Sequence, residues 1–284
     1  MLMSMIRWSA VLVAAAIACA GCKSKAQKQS ELAAEDVKTI ETIVRQRRID
    51  SLPRALPDAA KKLPPALDDA ASKFPALRDK SDDLRSAKRS FYGLVDADGT
   101  IVWIDESGWN VKGRVVNETF PSIKDCLSGK DFARGTGRFG GDPPDALMFM
   151  DAAPIRDGDK VAGCLISAWE ALDAAADLQS QILTMRGAET ASTSAHNKVK
   201  EQHQKAMEEP DVWVGLFRND VVYLEEGAYQ PLEDATKSLG IAQRTLNGAS
   251  TWTFDVANTG WGASALRVPE LGDGVGLVVF RHQN

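Results

Sequence analysis

The residues whose types and spacing come nearest to chemistry are Asp96 and Asp98, in the stretch VDADGTIVW from Val95 to Trp103. Two carboxylates followed by Gly99 open like a calcium loop. Counted from Asp96, such a loop needs glycine at its sixth place and glutamate at its twelfth, where Ile101 and Ser107 stand. Asp98-Gly99 is instead a short-range hairpin signal, and the stretch reads as a turn between two strands. Cys126 and Cys164 have neither CxxC spacing nor a nearby histidine, so they cannot supply the usual four zinc ligands. They either bridge or lie as two buried thiols. His196 and His203 stand on a polar stretch and His282 near the end of the chain, none with a metal-binding pattern. No GxSxG, HExxH or GxxxxGK[ST] pattern occurs. The chemistry pointed to is binding, with no cofactor and no catalysis.

The elements that carry these residues begin after an export segment. MLMSMIRWSAVLVAAAIACAGC has one cation, Arg7, then an apolar run too short for the ~20 residues of a membrane-spanning helix, then small residues. Its end, ACAGC, resembles the lipobox of bacterial lipoproteins. That resemblance implies a signal peptide over 1–21 and acylation of Cys22, with the mature chain on a lipid anchor facing the periplasm, at the outer rather than the inner membrane. A net charge of −5, from 34 basic and 39 acidic residues, gives no basic excess and argues against a nucleic-acid partner.

Residues 22–35 are polar and lysine-rich and read as a tether. Residues 36–89 read as a helical segment. Val37, Ile40, Ile43 and Val44 recur at helical spacing, RQRR at Arg45 to Arg48 reads as a solvated helix end, and Pro57, Pro65 and Pro75 mark the starts of short helices. From Ser90 the order is two strands, a helix ending at Gly129, and three strands, with a Gly/Pro loop at Gly140 to Pro144 and a turn at Asp157-Gly158. A helical connector over 170–209 follows, and the same order returns over 210–284. Landmarks align between the copies: Gly93-Leu94 with Gly215-Leu216, LSG with LNG, and Pro154 before GDKVAG with Pro269 before GDGVG. We read an internal duplication of one module, each copy with its own core.

FYGLVDADGTIVW, the helix end LSGK and the closing hairpin APIRDGDKVAGCLI together resemble an extracytoplasmic Cache sensor domain, a relative of the PAS fold. The resemblance implies an α+β protein with two PAS-like modules, 90–169 and 210–284, each a five-stranded antiparallel sheet with helices. It implies a sensor, and not an enzyme, that recognises a small molecule and passes a signal to another envelope protein; the alternative is an assembly scaffold. Cache domains hold their ligand between a sheet face and the segment joining the second strand to the helix, here GWNVKGRVVNETF. That places Trp109 as a lid and Arg114 as a carboxylate holder. Asp151 interrupts the apolar strand LMFMDAAPI and is expected to face a cavity and meet an amine. Arg134 and Arg138, in KDFARGTGRF, complete the expected ligand set. The tyrosines that amine- and amino-acid-binding relatives carry in that run are absent, so the resemblance does not carry an amino-acid ligand across; Arg114 makes a carboxylate-bearing small molecule the expectation.

Overall fold

The computed structural model describes residues 24–87, 89–139, 147–191 and 211–282. Cys22, His196, His203 and the loop from Gly140 to Pro144 lie outside the described residues. Helix α1 (Lys25–Val44) runs into a π-helical turn over Arg45–Asp50 and then α2 (Leu52–Ala60), α3 (Leu67–Asp79) and α4 (Asp82–Ser86). The first sheet holds β1 (Phe91–Asp96), β2 (Ile101–Ile104), β3 (Ala133–Arg138), β4 (Leu147–Asp157) and β5 (Lys160–Glu170). Between β2 and β3 lies α5 (Pro121–Leu127). After α6 (Ala171–Ala191) come β6 (Val212–Arg218), β7 (Val221–Tyr223), α7 (Gln230–Thr236), α8 (Ile241–Arg244), β8 (Ser250–Val256), β9 (Thr259–Arg267) and β10 (Val275–Arg281).

Both sheets are antiparallel and five-stranded with one strand order, β2-β1-β5-β4-β3 and β7-β6-β10-β9-β8. This is the expected α+β duplication into two PAS-like modules. The Asp96 to Gly99 stretch is the turn expected: Asp98 N and Thr100 N donate to Asp96 Oδ1 at 3.0 and 2.8 Å. Gly99 sits there at φ 84°, where a side chain would be strained.

Three features differ from the expectations. Residues 25–35 are not a tether but the first half of α1, which lies across β8, β9 and β10. Gln29, Ser30 and Ala33 are buried because Gly262 leaves room for the helix backbone: a Cβ there would stand 2.0 Å from Ser30 N. Polarity alone could not show this, since the helix is buried through its backbone and small residues. Pro57 and Pro75 lie inside α2 and α3 rather than at their starts. In α2 the fully buried Leu52 and Leu56, each worth about 1.5–3 kcal/mol, outweigh the roughly 3 kcal/mol of an internal proline.

The two modules also share a core. One apolar cluster joins Leu147, Phe149 and Trp169 of the first sheet to Leu216, Leu266 and Leu277 of the second, with Val37, Ile40 and Val44 of α1 and Leu178 of α6 between them. The expectation of one core per copy therefore fails at the junction, because α1 and α6 pack against the sheets there and join residues of both into one cluster.

Candidate functional site

The first sheet has two buried faces. On β4, Met148, Met150 and Ala152 join the cluster under α5 and the segment 105–120, whereas Ala153 and Ile155 join the cluster under α2, α3 and α4. Side chains alternate along a strand, so Asp151 belongs with Phe149, Ala153 and Ile155. It lies under the N-terminal helices, not under the segment expected to cover a ligand.

On the α5 face, the floor is aromatic. Phe91 stands 5.6 Å from Trp109 and 6.4 Å from Phe139, and Phe139 is 5.0 Å from Phe120, centroid to centroid. The covering segment is tied to the β1–β2 hairpin by backbone bonds from Gly113 N to Ile101 O, Ile101 N to Arg114 O and Val116 N to Gly99 O. These bonds present Trp109, half-buried, and Arg114, half-buried with its guanidinium 6.0 Å from the Phe139 ring centre. A disulfide joins Cys126 on α5 to Cys164 on β5, with Cα atoms 6.5 Å apart, and holds the helix on this face. The arrangement sets an indole and a planar cation against a buried cluster of aromatic rings.

On the other face, the expected ligand residues do different work. Asp151 is wholly buried and accepts from Arg48 Nη2 at 2.5 Å and from Arg134 Nε at 2.5 Å. The cation that Asp151 meets is thus the chain's own, and no ligand amine is needed. Arg134 also donates to Arg48 O at 2.7 Å. Arg138 donates to Tyr223 Oη in the second module at 3.1 Å. Arg134 and Arg138 point away from the α5 face because Gly135 and Gly137, the alternate residues of β3, face Ser122 and Phe120 there. They are struts between modules and not part of a pocket with Trp109 and Arg114.

Arg48 is the residue that sequence reasoning missed. RQRR was expected to be solvated, yet Arg48 is 1% exposed and its guanidinium lies 4.9 Å from the Trp169 ring centre. The signal was its position, since Val37, Ile40, Val44 and residue 48 follow one helical stripe. Burial pulls its pKa below the ordinary arginine value, and Asp151 pulls in the opposite direction. Tyr92, Ser167, Asp151 and Arg134 stand opposite one another across β1, β5, β4 and β3, so a polar row crosses the sheet beneath Arg48.

A second titratable group sits where β5 becomes α6. Burial, then the neighbouring Asp173 and Glu226, push the Glu170 carboxyl up to about 7. Ser90 Oγ accepts from Glu170 N at 2.9 Å and donates to Asp173 Oδ2. Among the described residues there is no group of acids, histidines or cysteines arranged to hold a metal, and no helix long and apolar enough to cross a membrane.

No protein-family model and no curated protein matches the chain. Among solved structures, the chain is similar to the ligand-binding domain of Mlp24 with asparagine, at TM-score 0.46 and 9% identity, covering 92% of this chain and 96% of that one. It is similar to the ligand-binding domain of the Campylobacter jejuni chemoreceptor Tlp3 in complex with 4-methylisoleucine, at 0.49 and 11%, covering 92% and 93%. A third is the ligand-binding domain of the Pseudomonas aeruginosa PAO1 amino acid chemoreceptor PctB in complex with L-Arg, at 0.46 and 11%, covering 89% and 88%.

Proposed function

We propose that this chain is an envelope sensor of the double-Cache kind, anchored through an acylated Cys22 and facing the periplasm from the outer membrane. Its first module takes a small carboxylate-bearing molecule, and the signal passes to a separate envelope protein. The observation that supports the binding role is the meeting of Trp109 and Arg114 over the Phe91 and Phe139 rings on one hydrogen-bonded segment. A guanidinium holds a carboxylate by two parallel hydrogen bonds, and the ring floor accepts the apolar remainder. The route out is the Arg48–Asp151–Arg134 cluster, which ties the first sheet to the end of α1.

The test uses residues 24–284 purified from the periplasm. Mass spectrometry identifies small molecules released on unfolding, and a panel of amino acids and dicarboxylates is screened for a rise in Tm, since a ligand of the folded state stabilises it by mass action. Arg114→Ala should abolish the shift while leaving the unliganded Tm nearly unchanged. A shift retained in full by that variant counts against the site.

A scaffold is the second reading, favoured by the close contact of the Phe91, Phe120, Phe139 and Trp109 rings. No co-purified small molecule and no shift with any compound would select it.

A further inference from the structure

We propose that the first turn of α1 and the β8–β9 hairpin together form a surface that rests on a lipid bilayer. The proposal builds on acylation of Cys22. Helix α1 begins at Lys25, capped by Ser24, whose Oγ accepts from Gln27 N at 3.2 Å. Three residues of chain, at about 3.3–3.6 Å each, let the acylated residue stand at most about 11 Å from the folded body. A flexible tether over 22–35 would have allowed up to about 50 Å by the same measure. The missing tether decides the geometry: the body can stand no farther than that from its anchor.

The anchor leaves the body beside the β8–β9 hairpin. A Cβ on Gly260 would stand 3.2 Å from Ala26 Cβ, so the first turn of α1 already touches the start of β9. The hairpin tip is Ala257-Asn258, at φ 49° and 63°, a tight two-residue turn with both residues left-handed. Exposed Lys25 and Lys28 stand on either side of Ala26, and the first turn of α1 has no acidic residue, which suits anionic headgroups.

The rest of the molecule extends away from this end. β9 runs from the tip to Leu266 in the shared core, and β4 runs from Leu147 and Phe149 in that core to the β4–β5 turn at Asp157–Lys160. Helix α1 itself leads from Ala26, beside Gly260, to Arg48 over Asp151 of the first sheet, so the first module lies at the far end of that helix. The hairpin tip is held at the lipid, and the first module is held out where small molecules diffuse.

The experiment labels the full chain at single cysteines, Thr259→Cys beside the hairpin tip and Asp159→Cys at the far turn, both exposed positions. Cys126 and Cys164 are joined and do not compete for the label. Each protein is reconstituted in vesicles containing a fraction of headgroup-quencher lipid, and the mass of its N-terminal peptide is measured. The dye at position 259 should be quenched several-fold more than that at 159, and a fourteen-residue Gly/Ser insertion between Ser24 and Lys25 should remove the difference. Acylated protein with equal quenching at both sites overturns the surface alone. An N-terminal peptide with no acyl mass overturns the anchor and the surface together.

Discussion

Arg48 and Asp151 form an ion pair 103 residues apart in sequence, Nη2 to Oδ2 at 2.5 Å, with both side chains 1% exposed. The pair lies at a seam. Val44, one turn before Arg48, belongs to the core shared by the modules, and Leu52, one turn after it, belongs to the core under α2 and α3. The π-helical turn of Arg45–Asp50 thus brings a cation down onto the buried carboxylate of β4.

Removing one partner of this pair should cost far more than a surface charge. A buried charge left without its counterion costs about 3–5 kcal/mol, against ~0–1 for an exposed pair. Arg48→Met retains the partial compensation of Arg134, so about 3 kcal/mol is expected for it and more for Asp151→Leu, which strands two cations. The double variant should be less destabilised than the sum of the singles in urea unfolding. Strict additivity would show that the two groups are not coupled.

Breaking the Cys126–Cys164 disulfide should lower stability by about 4 kcal/mol on the chain-entropy argument, for a sequence separation of 38. Cys126→Ser with Cys164→Ala is the variant to unfold. Thiol counting on the unreduced, denatured soluble chain should find neither residue free, and two free thiols in periplasmic material would contradict the bridge.

Gly262 should not tolerate even a methyl group. With its Cβ position 2.0 Å from Ser30 N, Gly262→Ala must push α1 off β9, and overpacking of this kind costs about 1–3 kcal/mol. Faster proteolysis within residues 25–35 should accompany the loss. Unchanged cleavage would mean that α1 is held by its distal half alone.

Stability should fall as pH rises through neutrality because of Glu170. Its carboxyl titrates near 7 in the folded chain, against an ordinary value of 4.5, so the folded state keeps a proton that the unfolded state releases. The contribution is complete below about pH 4.5 and is lost as pH rises through 7, by about 3 kcal/mol for a mostly buried group. Glu170→Gln should flatten that part of the profile. An equal slope in wild type and variant between pH 5 and 8 would assign it to other groups.

The shared junction core predicts one cooperative transition for the intact chain. A fragment starting at Asp211 lacks α1 and α6, which cover one face of its sheet, so it should not unfold cooperatively. Calorimetry of both decides, and a sharp transition in the fragment would show that the second module folds without them.

Local chemistry made much of this fold legible. Asp98-Gly99 specified its turn through conformations that few residues adopt, the two-strand, helix, three-strand order came from changes of period, and the duplication came from landmarks in common order. The cysteines could be placed in one module, on a helix and a strand. What the sequence left open was direction. β4 is apolar on both faces, so its pattern does not alternate and could not show which face Asp151 shares. Only the packing of α1, α2 and the second module against the first sheet decided that Asp151, Arg134 and Arg138 lie on one face and Trp109 and Arg114 on the other. The same holds for Arg48, whose burial depends on a carboxylate 103 residues away. A local pattern fixes a residue's place on its element, but its partner is fixed by the long-range contacts that fold the elements together.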